Sequence, residues 1–525
     1  MKFFILLVLS VLTACSGKGQ DPVEPGGGET PPEPAVRALL APEGLSLTEA
    51  GGKVSLSWKD RSSLEEGYLV SKKASSGKKT EEFFLPANTE SWTDEKVWTG
   101  VTLYTVRSYW HTDRSPEASV SYEKYDAPQM EVVSVQSSYH MAAVIIRVIS
   151  DGGEPVTCGV TATREDGTDV REAVFGEKVN GGETACLLLE DLEGDAAWYL
   201  VPWVRNGREE VRGERRTVSL KPAPEPVTID WSSLSAEETL PEGLSLLSAT
   251  TDVFGRVVNL WCAVADLTAG TVEFRTTAAS SVVEPGKYIR ETLSGEGEVL
   301  ALVNGGYFAA PSSSYSYVCD RGVKKASNVT QLTRTRGYTV TRGFFGVDRA
   351  GHTAIGWVSG DDFYMRPLPV YDGGPVLSLP GSLPSLEGWE PHSAIGGGPV
   401  LIKDGRYCFD YLKSPSGAYL SNHELFQSDI FASGLCAPRT AVGTDGKGKV
   451  VLLVADGRGS GGSGGLTLDE LARVMAGLGC SDVLNLDGGG SSMFLTGSEG
   501  TLRNHPSDGH ERKVLSFVSF MRKQE

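Results

Sequence analysis

Long hydrophobic runs are missing from almost the whole chain. Residues 3–12 form one apolar stretch, far shorter than the ~20 residues a membrane-spanning helix needs. Positive charge is scarce as well: 49 Lys and Arg stand against 67 Asp and Glu, a formal net charge of −18. That balance excludes the broad basic footprint of a nucleic-acid-binding surface, yet leaves room for a local basic clamp around one phosphate. Cysteine is sparse and unpatterned. Beyond Cys15, the thiols Cys158, Cys186, Cys262, Cys319, Cys408, Cys436 and Cys480 include no C-x-x-C pair and no metal-ligand spacing. Seven thiols cannot all pair. A Cys158–Cys186 bridge is open within one small domain, and most of the others read as small apolar core residues.

What is present starts at the N-terminus. Lys2, the apolar run to Leu12 and the sequence L-T-A-C at 12–15 are similar to a bacterial lipobox, with Cys15 as the residue to be lipidated. A plain signal peptide or a buried starting helix is the other reading. The lipobox reading makes 1–15 a lipoprotein signal peptide and predicts a cell-envelope protein that meets the membrane through its lipid alone. Ser16, in place of an acidic run, is compatible with the outer membrane, on its periplasmic face or the cell surface. Residues 16–34 are rich in Gly, Pro and Glu and read as a flexible tether.

A length of 525 residues predicts two to four domains. In 35–126, Val54, Leu56 and Trp58 alternate with polar residues, as do Tyr68 and Val70, then Leu103, Tyr104 and Val106. The early Trp and late Tyr resemble a fibronectin type III sandwich, with Trp58 in its core and Tyr104 as its corner tyrosine. Residues 127–221 repeat the theme through Val144, Ile146 and Val148, then Val156, Cys158 and Val160, then Tyr199, Val201 and Trp203. Trp58, Trp92, Trp98 and Trp203 could bind glycan if exposed, but core or scattered surface positions are the expectation. Neither sandwich holds candidate chemistry, so both read as spacers. P-A-P-E-P opens a linker over 222–229.

From 230 to 525 the texture changes: apolar strand-like runs end in glycine-rich polar turns, and many of the 63 glycines fall here. Thr467 and Glu470 form a T-x-x-E capping box, Leu471, Met475 and Leu478 follow at helical spacing, and Gly479 marks the stop. A strand ending at Asp456, a helix and a strand ending at Asp487 therefore read as a βαβ-like unit. If its strands are parallel neighbours, both carboxylates face one rim. The fold class expected is multidomain: two all-β immunoglobulin- or fibronectin-like sandwiches, then an α+β domain with a mixed sheet and helices.

The chemistry gathers in this last domain. Asp456 and Arg458 follow one strand, and Arg439 and Thr440 open another. Asn304 and Gly305 end a third, and Asn485 and Asp487 lead into Gly488, Gly489, Gly490, Ser491 and Ser492. Glycine-loop N–H groups can form an anion nest, and the arginine fork suits phosphate. The run lacks the G-K-[ST] ending of a nucleotide-hydrolysing P-loop. Carboxylates, arginines and nests together suit a sugar phosphate. No cofactor is called for. A divalent cation among Asp456, Asp487 and Asn485 is an alternative, although no calcium-loop spacing appears.

Taken in order, N-G-G-Y-F at 304–308, G-G-G-P-V-L at 396–401, R-T-A-V-G at 439–443, D-G-R at 456–458 and N-L-D-G-G-G-S-S at 485–492 resemble the phosphodiester glycosidase family over roughly 240–525. Tyr307 stands where Phe is common in that family, and Arg512 looks like its closing basic residue. The resemblance implies hydrolysis of a bond between a sugar's anomeric carbon and a phosphodiester. Asp487, Asp456 and Arg439 would be catalytic, and Asn304, Gly305, Thr440, Arg458, Asn485, Gly488 to Ser492 and Arg512 would bind a sugar-phosphate glycan. The alternative of another class is a non-catalytic glycan-binding lipoprotein.

Overall fold

The computed structural model describes residues 39–524 apart from 195, 235–238, 310, 333–338, 369, 372–373, 376–384, 387, 409–411, 415, 421 and 428–434. Cys15 and the 16–34 tether lie outside the described residues. The chain divides into two compact units, Met1–Lys124 and Tyr125–Glu525. No helix among the described residues is long and apolar enough to cross a membrane.

The first unit is a β-sandwich. One sheet holds Glu43–Ala50, Lys53–Lys59 and Ser91–Asp94. The other holds Thr80–Pro86, Gly67–Ala74 and Gly100–Trp110, with Asp113–Arg114 and Ala118–Lys124 both paired to the last. Alternation does the folding work: Val54, Leu56, Trp58, Tyr68, Val70, Tyr104 and Val106 all turn inward and form its core. Leu103 points the other way and is half-buried. Tyr104 donates its hydroxyl to Asp94 at 2.6 Å, and the fully buried Lys72 lies 2.6 Å from the same carboxylate. Trp92 and Trp98 are half-buried, and Trp98 is flanked by the Lys72 and Lys79 ammonium groups at 4.1 and 4.0 Å.

The second unit opens with another sandwich. Gln129–Ser137, Ala142–Ser150 and Thr184–Leu189 face a sheet centred on Thr157–Arg164 and Trp198–Arg205. Val144, Ile146, Val148, Val156, Cys158 and Val160 fill its core. The late strand sits in the opposite register from the one expected. Trp198, Leu200 and Val204 face the core, whereas Tyr199 and Val201 are half-buried. Trp203 covers Gly159, where an added Cβ would fall 2.1 Å from its ring. Pro202, Trp203 and Val204 are all buried, so apolar alternation could not mark the inner face. No disulfide joins Cys158 to Cys186: Cys158 belongs to the sandwich core and Cys186 to a separate cluster on the outer face. Residues 222–229 do not hang loose. Val227 N donates to Arg473 O at 3.0 Å, and Ile229 is 7% exposed.

Among the described residues, the glycine-rich region is built on three sheets of five to eight strands, beside two small two-stranded ones. Its principal strands are β1 (Val258–Asp266), β2 (Val299–Asn304), β3 (Val400–Lys403), β4 (Arg439–Thr444), β5 (Lys449–Ala455), β6 (Asp482–Asn485), β7 (Phe494–Thr496) and β8 (Val514–Arg522), with helix α1 (Leu468–Gly477) between β5 and β6. The largest sheet has eight strands and contains the order β1-β5-β4-β6-β3; a five-stranded sheet contains β8-β2-β7. Every pairing in the three sheets is antiparallel, so the mixed sheet expected from the sequence is an antiparallel one. The α+β expectation is met in its β part, since the described residues hold just two α-helices, Pro285–Glu291 and α1.

β5 and β6 are parallel to each other but are not neighbours. β4 lies between them and runs antiparallel to both. The two strands still end on one rim, where β4 begins: Arg439 pairs with Ala455 and Ala441 with Asn485. The run V-V-L-L-V-A is continuously apolar because both faces of β5 are covered. Val451 and Leu453 share one buried cluster with Leu471, Ala472 and Met475 of α1, while Leu452 and Val454 share another with Val303, Val518 and Phe345 from the other sheets. α1 has the expected capping box: Thr467 Oγ accepts from Glu470 N, and Glu470 accepts from Thr467 N. Arg256 also pairs with Glu470.

Candidate active site

The rim where β4 starts and β5 and β6 end opens into a cleft of about 310 Å³. Its walls are Tyr307, Leu435, Ala437, Arg439, Arg458, Asn485, Asp487, Gly488, Gly489, Gly490 and Arg512. Residues from five separated segments thus meet because two β-strand ends and one β-strand start share an edge. Asp487 is the one carboxylate among the described lining residues, and three guanidiniums share the cleft with it.

Asp487 follows the fully buried Leu486. Its N–H donates to Gly305 O at 3.2 Å, and its carbonyl accepts from Asn304 Nδ2 at 2.6 Å. Burial pushes its carboxyl up to about 6, against the opposing pull of the Ser491 hydroxyl, the Gly488 N–H and the Arg512 charge.

The glycine turn brings arginine planes close to the backbone. A Cβ on Gly490 would fall 2.1 Å from Arg512 Nη2 and 2.4 Å from Asp508 Oδ1. A Cβ on Gly489, which has φ +62°, would fall 3.1 Å from Arg458 Nη2. Arg512 is steered by Asp508, whose Oδ2 accepts from Nε at 2.7 Å, and its Nη1 donates to Ser491 Oγ at 3.4 Å. Arg439 is 6% exposed and donates to the carbonyls of Leu466 and Leu435, each at 3.0 Å. Arg458 sits exposed in a left-handed conformation, φ +57°, which an L-residue adopts rarely and at some cost.

Several residues expected at the site lie behind the cleft wall instead. Thr440 Oγ1 donates to Asn304 Oδ1 at 2.8 Å and lies 3.2 Å from Ser492 Oγ. Met493 N donates to the same Asn304 oxygen at 3.3 Å. Asn304, Thr440 and Ser492 are each at most 1% exposed and brace the turn from beneath. Gly305 is small because β8 crosses it; its Cβ would fall 2.5 Å from Ser516 Oγ. Ser491 is buried and works through Asp487 and Arg512.

Asp456 also faces away from the cleft. Its Oδ1 accepts from Asn504 Nδ2 at 3.0 Å, and its Oδ2 meets His505 Nδ1 at 2.9 Å and His505 N at 3.1 Å. Burial raises its carboxyl, while the Asn504 and His505 hydrogen bonds pull it down. Asn504 Nδ2 also donates to Ser492 O at 3.0 Å. Asp456 therefore ties the segment that carries Asp508 and Arg512 to the end of β5. Asp456, Asp487 and Asn485 do not make a shared cation site, and no group of three His, Cys, Asp or Glu able to hold a metal is found among the described residues.

Tyr307, Asp508, Asn504 and His505 went unassigned in the sequence. Tyr307 donates to Gly398 O at 2.8 Å and accepts from Asn485 Nδ2 at 3.1 Å. A tyrosine standing in a phenylalanine position was the one signal that could have drawn attention to it.

Residues 297–521 match the phosphodiester glycosidase family. This segment belongs to that family. Among curated relatives, N-acetylglucosamine-1-phosphodiester alpha-N-acetylglucosaminidase of Bos taurus is 44% identical over 70 residues, 13% of this chain and 12% of that protein. The SPbeta prophage-derived uncharacterized protein YomE of Bacillus subtilis (strain 168) is 41% identical over 82 residues, 16% of this chain and 12% of that protein. The chain thus spans about an eighth of the length of these relatives. A hypothetical protein from Synechocystis overlays 91% of this chain and 96% of its own at 12% identity, with a TM-score of 0.39. The rim cleft of the phosphodiester glycosidase domain is built from residues inside the matched segment.

Proposed function

We propose that the domain hydrolyses the bond between a sugar's anomeric carbon and a phosphodiester. The observation that carries this reading is a single cleft with one carboxylate, Asp487, and three arginines, Arg439, Arg458 and Arg512. An anion is wanted on one side and a base or nucleophile on the other, and the cleft supplies both. Water adds at the anomeric carbon and the sugar–oxygen bond breaks. The phosphate leaves with the bonding electrons into the arginine cluster. Asp487 takes the proton from the water or attacks the carbon first. A phosphate leaving group needs little protonation, so one carboxylate suffices where ordinary glycosidases use two. Asp456 serves as the tie that positions Arg512, not as a reacting group.

The test is turnover of a panel of sugar-1-phosphate methyl esters by the full chain and its Asp487→Asn variant. Turnover that falls about 10²-fold or more in the variant supports the reading. Saturable binding with no turnover by the parent chain would mark a glycan-binding protein instead.

We also propose that Cys15 is lipidated and holds the protein at the cell envelope, on the strength of the L-T-A-C sequence. Cys15→Ser is expected to move the protein from the membrane to the soluble fraction with its turnover unchanged; continued membrane association overturns the anchor.

A further inference from the structure

The sandwich at the start of the second unit has an outer face that a free-standing module would not have. Strand Ala142–Ser150 is apolar on both sides. Val144, Ile146 and Val148 fill the sandwich core, while Ala143 and Ile145 point outward and are 0% and 3% exposed. A sheet with one solvated face alternates apolar and polar residues, so this one is built to be covered. The cover comes from the glycosidase domain: Leu412 and Leu420, 5% and 3% exposed, join Met141, Ala143, Ile145 and Cys186 in one buried cluster. Polar contacts ring it. Arg406 reaches Asp191 at 3.3 Å and Glu193 at 3.0 Å, and Gln136 Nε2 donates to Lys413 O at 3.0 Å. His423 Nε2 meets Glu190 Oε1 at 3.2 Å.

The next residue after His423 turns into the domain. Glu424 is 4% exposed, and its two carboxylate oxygens accept from Val400 N at 2.7 Å and Gly343 N at 2.8 Å. Two residues before Val400, the Gly398 carbonyl accepts from Tyr307 Oη at 2.8 Å and from Asn485 Nδ2 at 2.9 Å. Phe426 packs on the Tyr307 ring at 5.4 Å between centroids. Tyr307 and Asn485 line the cleft. A continuous set of contacts therefore runs from the sandwich, through Glu424 and Phe426, to one wall of the cleft.

We propose that this second sandwich is a working part of the glycosidase cleft. It clamps Arg406, Leu412, Lys413, Leu420 and His423 so that Glu424 and Phe426, as positioning residues, hold the Tyr307–Asn485–Gly398 wall against a bound ligand. The arginine side, set by β4, β5 and the 503–512 segment, is independent of it. This rests on the cleft being the substrate site.

The test uses the full chain with two separate changes: Leu412→Asp, which places a charge in the buried cluster, and the double variant Glu190→Gln/Asp191→Asn, which removes rim charges without touching the apolar contact. Leu412→Met is the conservative control. Hydrogen exchange at the Gly343 and Val400 amides is followed alongside KM and kcat for the methyl ester panel. Faster exchange at both amides, on the order of tenfold, with protection retained in β5 and β6, is the expected result for Leu412→Asp. A smaller change in the same direction is expected for the double variant, and parent behaviour for Leu412→Met. KM should rise more than kcat falls. If Leu412→Asp loses protection throughout, the double variant decides. Parent-like exchange at both amides in a folded interface variant overturns the proposal. The exchange readout needs no substrate, so a parent chain without turnover sinks the activity reading and leaves the clamp to be judged on exchange.

Discussion

Asp487 lines the arginine cleft, and burial shifts its carboxyl up to about 6. The sign of its effect on stability follows. Its ordinary value is 3.8, so between about 4 and 6 the folded chain holds this proton more tightly than the unfolded chain. Stability is present below that window and is lost as pH rises through it. Asp487→Asn removes the loss, and the variant is expected to be more stable than the parent at pH 8, on the order of 1–2 kcal/mol after solvent screening. Activity should move the other way: the proposed mechanism uses the ionised form, so the parent's kcat should climb as pH rises through about 6. A thermal midpoint at pH 5 and pH 8, with a pH–rate profile, checks both signs; a less stable variant at pH 8 would mean that Asp487 merely caps the turn. Gly490 gives a second check at this scale. Gly490→Ala puts a methyl group where Arg512 Nη2 lies, 2.1 Å away, and backbone cannot yield to it cheaply. KM should rise several-fold while α1 and the sheets stay folded, as read from circular dichroism; an unchanged KM removes Arg512 from ligand binding.

α1 shows an element whose ends and inner face are both written locally. Thr467 and Glu470 close the capping box, and Leu471, Ala472 and Met475 are fully buried where α1 lies against β3, β4 and β6. Thr467→Ala leaves the Glu470 N–H without its acceptor and should cost about 1 kcal/mol, read as a lower urea midpoint at constant slope. β5 reads as a buried strand for a similar reason, since V-V-L-L-V-A offers no polar face. Strand order is another matter. β4 enters between β5 and β6 from a position earlier in the chain, and nothing in the β5–α1–β6 sequence announces it. The late strand of the second sandwich, apolar over Pro202, Trp203 and Val204, hid its register for the same reason: period-two reading requires one wet face.

At the scale of the molecule, the two sandwiches differ in role despite similar patterning. The second shares a buried cluster with the glycosidase domain, so a fragment beginning at residue 230 exposes Leu412 and Leu420, whereas one beginning at residue 125 keeps them covered. The shorter fragment should melt several degrees lower, as expected when a few kcal/mol of apolar burial is lost, and should associate at high concentration. The longer fragment should match the parent unit. Calorimetry and sedimentation of the two fragments check this, and equal midpoints would return the second sandwich to the role of spacer that its sequence implied.

The sequence by itself determined the candidate residues, because the glycine runs, the arginines and Asp487 lie in short contiguous motifs whose residue types suit a sugar phosphate. It also determined the alternating cores and the helix cap, because these depend on spacing of a few residues. Tertiary structure alone decided which motif residues reach the cleft. Asp456 and Asp487 end parallel strands on one rim and look equivalent in the chain, yet the first turns to Asn504 and His505 and the second faces the arginines. Side-chain direction at a strand end is set by partners from distant segments. The same holds for Tyr307, Arg512 and the covered face of the second sandwich, whose partners lie about 90 to 280 residues away or beyond a glycine turn that no local pattern marks.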